Sequence, residues 1–215
     1  MNEIILTILI PSIPKRYSIL SKLASELYKQ KLYMQTFHSS LGEIEIIIDG
    51  SERFLDGGLS IGKKREKLVS EANGKYLCFL DDDEQIAPNY METLVRLCKQ
   101  DKDVCVFRSL AKMDNYWCII DMGLGQFNEE ARPNAIVHRN AWHVCPVRTE
   151  FAKLHTFEDI NYSEDWKWFE QVLTHCQTEA HTDAVIHSYQ HSATTSEADK
   201  ITNYVQSESG GEIHS

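Results

Sequence analysis

The chain has 215 residues, 42% of them hydrophobic and 25% charged, a size and balance that fit one α/β domain and exclude disordered, collagen-like and coiled-coil classes. Its formal charge of −10 is uneven: residues 1–80 hold 11 basic and 9 acidic side chains, residues 81–215 hold 11 and 23. Such a protein gains nothing from non-specific attraction to nucleic acid, although its first third suits a small polyanion. Six cysteines lie scattered without a CxxC pair, a usage typical of buried thiols that predicts neither disulfides nor structural zinc. The apolar run Ile4–Ile10 is too short for a bilayer span or signal peptide, so a cytoplasmic protein without a transmembrane segment is expected.

Residues Glu3 to Ile10 predict a strand buried on both faces, ended by Pro11 and Pro14. After Lys15 and Arg16, the helical spacing of Ile19, Leu20, Leu23 and Leu27 predicts an amphipathic helix that stops before the polar residues 35–42. Ile44 to Ile48 predict a second strand, closed by the turn-forming Asp49-Gly50-Ser51. A loop bearing Gly57, Gly58 and Gly62 leads to a helix with Leu68, Val69 and Ala72 inward. Tyr76 to Leu80 then predict a third strand that runs into Asp81-Asp82-Asp83-Glu84. Pro88 suits the start of a further helix carrying Met91, Leu94, Val95 and Cys98. This alternation predicts a doubly wound, mostly parallel sheet with its ligand outside the strand ends at Pro11-Ser12, Asp49 to Ser51 and Asp81 to Asp83.

Beyond residue 103 the pattern becomes mixed, with shorter strands predicted at 104–107, 116–120, 135–138 and 184–189. The loop 121–134, with Gly123, Gly125 and Pro133, is long enough to close over a ligand. Ser163 is the expected N-cap of a helix that buries Trp166, Phe169, Val172, Leu173 and Cys176. Residues 207–215 are expected to form a mobile tail.

Strand alternation puts Asp81 and Asp83 on one side with Asp82 turned away, and two convergent carboxylates call for Mg²⁺ or Mn²⁺. Lys63, Lys64, Arg65 and Lys67 crowd a helix start, where their charge opposes the helix dipole unless an anion such as phosphate matches it. The plainer alternative is a solvated basic face partnered by Glu66 and Glu71.

Gly62-Lys63-Lys64-Arg65-Glu66-Lys67-Leu68 and Ala72-Asn73-Gly74-Lys75-Tyr76-Leu77-Cys78-Phe79-Leu80-Asp81-Asp82-Asp83-Glu84 together resemble family 2 glycosyltransferases of the GT-A fold. Ile8-Leu9-Ile10-Pro11-Ser12, Glu45 to Ser51 and Ser163-Glu164-Asp165-Trp166 extend the resemblance, which spans residues 4–191 in the family's order and is loose over 104–161. It implies a single catalytic domain over 1–206, with a nucleotide-sugar donor half (1–102) and an acceptor half (103–206). The implied donor is a nucleoside-diphosphate sugar, foremost a UDP-sugar, contacted by Pro11, Ser12, Asp49, Lys64, Arg65, Asp81 and Asp82. Asp83 and His191 are the implied ligands of Mn²⁺ or Mg²⁺, which offsets leaving-group charge.

The same resemblance makes Asp165 and Glu164 the catalytic carboxylates, with Asp165 taking the acceptor hydroxyl's proton during inverting transfer. The family's arginine-asparagine pair appears as Arg65-Glu66, and its frequent double Asp after the second strand is reduced to Asp49. His187 falls on the same side of a strand as His191, and Trp117, Trp142, Trp166 and Trp168 fall in the acceptor half. The acceptor stays open among a saccharide, a lipid-linked glycan, a protein and a hydroxylated nucleobase. Two further readings are a sugar-phosphate nucleotidylyltransferase and a catalytically silent nucleotide-sugar-binding module. The first of these normally opens with a Gly-rich phosphate loop, whereas this chain has Pro11-Ser12-Ile13-Pro14.

Overall fold

The β-branched runs pair into one nine-stranded sheet in a computed structural model that describes residues 3–52 and 59–190. Gly57, Gly58, His191 and the expected tail lie outside the described residues. Strand β1 (Ile4–Pro11) is buried from Ile5 onward because it is flanked in parallel by β2 (Glu43–Asp49) and β3 (Tyr76–Phe79). Helices α2 (Ile61–Glu71) and α3 (Tyr90–Cys98) pack against it, and α1 (Tyr17–Phe37) packs on α3. A strand enclosed in this way can be apolar on both faces, which is why it reads as an uninterrupted run.

Helix α1 is longer than its leucine spacing predicts, and Ile19 is exposed rather than inward. The buried stripe continues through Gln30 and Met34. Gln30 is tolerated there because its amide donates to the Ala87 carbonyl (2.9 Å) and accepts from the Met91 N–H (3.0 Å), so a buried polar group keeps its partners.

The second half is mixed, as expected. Strand β8 (Val147–Arg148) is antiparallel to β3 and to β5 (Val104–Lys112). Strand β6 (Trp117–Gly123) runs antiparallel to β5 and parallel to β7 (Ile136–Asn140). Strand β9 (Glu179–Gln190) lies parallel to β5 and also pairs with the two-residue β4 (Gln85–Ile86), bringing its end alongside the acidic residues that follow β3. The loop between β6 and β7 is tied down: Leu124 N–H donates to Glu179 (2.5 Å), Gly125 N–H to Asn140 (2.9 Å) and Glu129 N–H to the His138 carbonyl (3.0 Å). The loop expected to be able to close over the acceptor is thus fastened at these points.

Helix α4 (Thr149–Ala152) is short, and α5 (Glu164–Leu173) departs from its predicted face. Trp166 is 39% exposed, whereas Trp168 is buried, stacked on Phe157 (centroids 4.5 Å apart) and edge-on to Phe79 (5.7 Å). The inward stripe is Glu164, Trp168, Phe169, Val172 and Leu173. Turning the acidic first residue inward rotates Trp168 into the core and Trp166 out. Ser163 precedes the helix in the left-handed conformation (φ 61°) and makes no side-chain cap bond, contrary to its expected capping role.

The start of α2 meets residues 158–161. A Cβ on Gly62 would lie 2.0 Å from the Glu158 carbonyl oxygen. Replacing a helical glycine by alanine ordinarily gains about 0.5–1 kcal/mol, but the backbone clash reverses the sign here. Gly62→Ala is expected to lower stability by ~1–3 kcal/mol, read as a lower urea midpoint at unchanged slope; a midpoint equal to or above the parent's would show that the contact does not constrain the fold.

Candidate active site

The three strand ends predicted to frame a ligand do meet. Ser12 N–H donates to the Asp49 carbonyl (2.8 Å), joining the ends of β1 and β2. Lys64, only 1% exposed, donates through Nζ to the carbonyls of Ser12 (2.8 Å) and Ser51, so its charge staples those two ends. Asp49 Oδ1 accepts the Ser51 N–H (2.9 Å), and its Oδ2 faces Lys67 Nζ (3.1 Å). Burial works against ionisation of Asp49, yet Ser51 and Lys67 hold its pKa below the ordinary value.

Lys63 pairs with Glu66 (2.7 Å) as on a solvated basic face, but Lys64 and Arg65 are buried, so the cluster as a whole is not such a face. The other expectation, a phosphate at the start of α2, does not fit the geometry. Ser60 Oγ accepts the Lys63 N–H (3.1 Å), Asn161 Oδ1 accepts that of Ile61 (3.0 Å) and the Ile160 carbonyl accepts that of Gly62 (3.2 Å). Ser60 Oγ also donates to Asp159 (2.5 Å). The helix end that sequence offers to an anion is thus filled by the chain itself.

The acidic run also departs from its expected geometry. Strand β3 ends at Phe79, and residues 81–84 form a turn closed by Glu84 N–H on the Asp81 carbonyl (3.1 Å), so strand alternation no longer sorts the carboxylates. Asp82 and Asp83, rather than Asp81 and Asp83, converge: Arg16 Nη2 lies 2.6 Å from Asp82 Oδ1 and 2.7 Å from Asp83 Oδ2. Asp82 is buried and accepts the Ser12 hydroxyl (2.6 Å), while the Asp83 side chain is 58% exposed. Burial, with help from Asp83 and Asp81, raises the Asp82 pKa against the pull of Ser12 and Arg16. Arg16 offsets one of the two negative charges, and the exposed Asp83 offers oxygen donors of the kind a divalent cation takes.

Glu84 secures the turn from behind. Its Oε2 accepts the Asp81 N–H (2.9 Å) and lies 3.1 Å from His187 Nε2. The other ring nitrogen of His187 contacts Ser109 Oγ (2.7 Å). His187 is therefore a buried strut between β5, β9 and the acidic turn.

Asp81 turns to a different cation. Arg65, 2% exposed, reaches Asp81 Oδ1 through Nη2 (2.9 Å) and Glu164 Oε1 through Nε (3.1 Å), with its guanidinium 4.7 Å above the Phe79 ring centroid. Burial alone would favour neutral Arg65, but Asp81, Asp165 and Glu164 raise its pKa. Asp81 is held below the ordinary range by Arg65 and His143 despite its burial, whereas burial, assisted by Asp165, pushes Glu164 up. Beside them Asp165 Oδ2 meets His143 Nδ1 at 2.9 Å, and its Oδ1 accepts the Trp166 N–H at 2.8 Å. Burial opposes the Asp165 charge, but His143 and Arg65 hold its pKa well below the usual carboxylate range.

The structure thus brings together Pro11, Ser12, Asp49, Lys64, Arg65, Asp81, Asp82, Asp83, Glu164 and Asp165 at one end of the sheet. Sequence reading gave no role to Arg16 or His143. A basic residue just past the first strand, complementary to a crowded acidic run, is a signal that points to Arg16; nothing local marks His143. Elsewhere, Asp121, His181 and Asp183 place ligand atoms within 4.8 Å of one another. Arg108 lies 3.0 Å from Asp121 and 2.6 Å from Asp183, bridging two acids as Arg16 does at Asp82 and Asp83.

Removing Arg65 leaves Asp81 and Glu164 facing each other without their shared cation. Arg65→Met is expected to cost about 3–5 kcal/mol, measured by denaturant unfolding. A loss below ~1 kcal/mol would mean that the two acids find other partners.

Residues 54–153 match the model of glycosyl transferase family 2. No curated protein matches the sequence significantly. The fold is similar to the crystal structure of S. aureus TarS 1–349, with TM-score 0.59 and 13% identity over 87% of this chain and 60% of that one. The S. aureus TarS chain gives TM-score 0.59 and 15% identity over 88% and 37%. TarS 1–349 in complex with UDP-GlcNAc gives 0.58 and 12% over 88% and 59%. The chain therefore spans less than two thirds of these TarS chains, and at such identities the likeness is one of fold. A segment that matches the glycosyl transferase family 2 model is thus set on a fold similar to that of TarS.

Proposed function

We propose that this protein transfers a sugar from a nucleoside-diphosphate donor to a hydroxyl acceptor, with inversion and with Mn²⁺ or Mg²⁺ as cofactor. The observation that carries the reading is the meeting of two acidic motifs on one buried cation. Asp81, from the turn after β3, and Glu164, from the start of α5, both bind Arg65, which is 99 residues from Glu164 in sequence. A donor-side carboxylate group and a candidate base, Asp165, are thereby held at one end of the sheet. UDP-GlcNAc bound to TarS 1–349 supports a UDP-sugar as the donor. A donor half over 1–102, an acceptor half over 103–206 and a cytoplasmic site of action remain parts of this proposal. No described helix is long and apolar enough to cross a membrane.

In the proposed step the acceptor oxygen attacks the anomeric carbon as its proton passes to a carboxylate oxygen of Asp165. The bond from that carbon to the diphosphate oxygen breaks, and the diphosphate leaves with the electron pair from the opposite face. Arg65 and Glu164 keep the α5 start in register with the acidic turn, while Ser12, Asp49 and Lys64 fix the strand ends that border the donor. Asp83, with Asp82 beside it and His191 from outside the described residues, would hold the divalent cation. When bound, that cation offsets charge on the diphosphate.

Incubation with nucleoside-diphosphate sugars and Mn²⁺ is expected to release nucleoside diphosphate. Pyrophosphate release would support a nucleotidylyltransferase instead, and binding without turnover a silent module. Asp165→Asn is expected to keep donor affinity while slowing transfer by roughly 10²–10⁴-fold; equal rates would remove Asp165 from the mechanism. Asp83→Ala is expected to weaken manganese binding by about 10-fold or more, read by calorimetry. Unchanged affinity would move the cation elsewhere.

A further inference from the structure

His143 stands out because the whole residue is fixed. Its Nδ1 lies 2.9 Å from Asp165 Oδ2, its ring lies along Trp142 (interplanar angle 19°) and edge-on to Phe79 (75°), and its carbonyl accepts the Phe79 N–H (2.8 Å). Its Nε2 is buried without a hydrogen-bond partner among the described residues. A proton on Nε2 would be an unsatisfied buried donor, so the neutral ring carries its proton on Nδ1 and donates it to Asp165. With Trp166 N–H on the other oxygen (2.8 Å), the carboxylate is gripped at both ends. Each oxygen keeps a further lone pair for an incoming proton.

We propose that His143 is a positioning residue for Asp165, fixing the rotation of the carboxylate and setting, through its own charge, how readily Asp165 accepts the acceptor's proton. The proposal rests on the transferase reading above. The charged groups that face the pair are Glu164 on α5, Arg65 on α2 and Asp81 after β3. Burial favours the neutral imidazole and Arg65 adds to that, but Asp165 and Asp81 carry the His143 pKa above its ordinary value of about 6.5.

Below that raised pKa, an imidazolium draws on the Asp165 charge and makes the carboxylate a poorer base. Above it, neutral His143 still donates through Nδ1, and Asp165 accepts a proton more readily. Transfer is expected to rise with pH through the titration of His143, above 6.5.

The test has two arms. By NMR titration, the His143 imidazole is expected to have a midpoint above 6.5 in the wild type and a lower one in Asp165→Asn. Identical midpoints overturn the pair whether or not the protein transfers sugar. In transfer assays, His143→Asn keeps an N–H close to the Nδ1 position without titrating. It is expected to retain kcat within about tenfold at high pH and to shift the acid limb toward the carboxylate range. His143→Phe removes the donor and is expected to lower kcat about 100-fold with donor KM unchanged. A His143→Asn profile with the parent's acid limb, or a His143→Phe variant with the parent's kcat, overturns the positioning role. An intact NMR pair in a protein that releases no nucleoside diphosphate from any donor overturns the transferase reading, and the catalytic role of His143 with it.

Discussion

A guanidinium buried in a protein must be paired, because desolvation costs several kcal/mol. Arg65 meets that requirement with carboxylates from two distant segments and the face of Phe79. Three acids nevertheless gather there, Asp81, Glu164 and Asp165, and one cation cannot hold all three ionised at equal ease. The imbalance appears in their opposite shifts: Asp81 and Asp165 are held down, whereas Glu164 is pushed up. His143, when protonated, supplies a second positive charge, and it does so for Asp165 in particular. The cluster is therefore divided by geometry, with Arg65 serving Asp81 and Glu164 while the imidazole serves Asp165.

That division sets the packing around it. Because Glu164 must face Arg65, α5 takes the rotation that buries Trp168 against Phe157 and Phe79 and leaves Trp166 in solvent. Residues 158–161 then fall against the start of α2, where Gly62 permits the approach and Asn161 and Ile160 occupy helix N–H groups. The Arg65 bonds and the loop contact join the same two helices, so the charged cluster and the core packing reinforce each other.

The parallel strands were legible in the sequence because enclosure by neighbours and helices demands uninterrupted β-branched runs, and Ile4 to Ile10 has one. The site's residue types were legible as acidic and basic runs at strand ends. What each charge does was not, because ion pairs are made across sequence distances that no local spacing encodes. Lys64 binds carbonyls at the β1 and β2 ends, and Arg65 binds acids from two other segments. The Trp166 expectation failed because helical spacing gave the period of the stripe, whereas its phase was decided by a single inward-facing acid. Helix α1 outran its apolar spacing because Gln30 satisfies its amide inside the fold.

The proposed donor is an anion, and the crevice meets it with acids. Arg16 is engaged by Asp82 and Asp83, Lys63 by Glu66, Lys64 by two carbonyls, Arg65 by Asp81 and Glu164, and Lys67 by Asp49. A diphosphate drawn to Lys64 or Arg65 would have to displace interactions that shape the strand ends, whereas Asp83, 58% exposed, has room for a cation beside Arg16. On electrostatic grounds the proposed divalent ion is the simplest bridge between an acidic turn and an anionic donor. Arg16 is then the residue that keeps Asp82 and Asp83 together before the ion binds, because two adjoining carboxylates would otherwise repel each other.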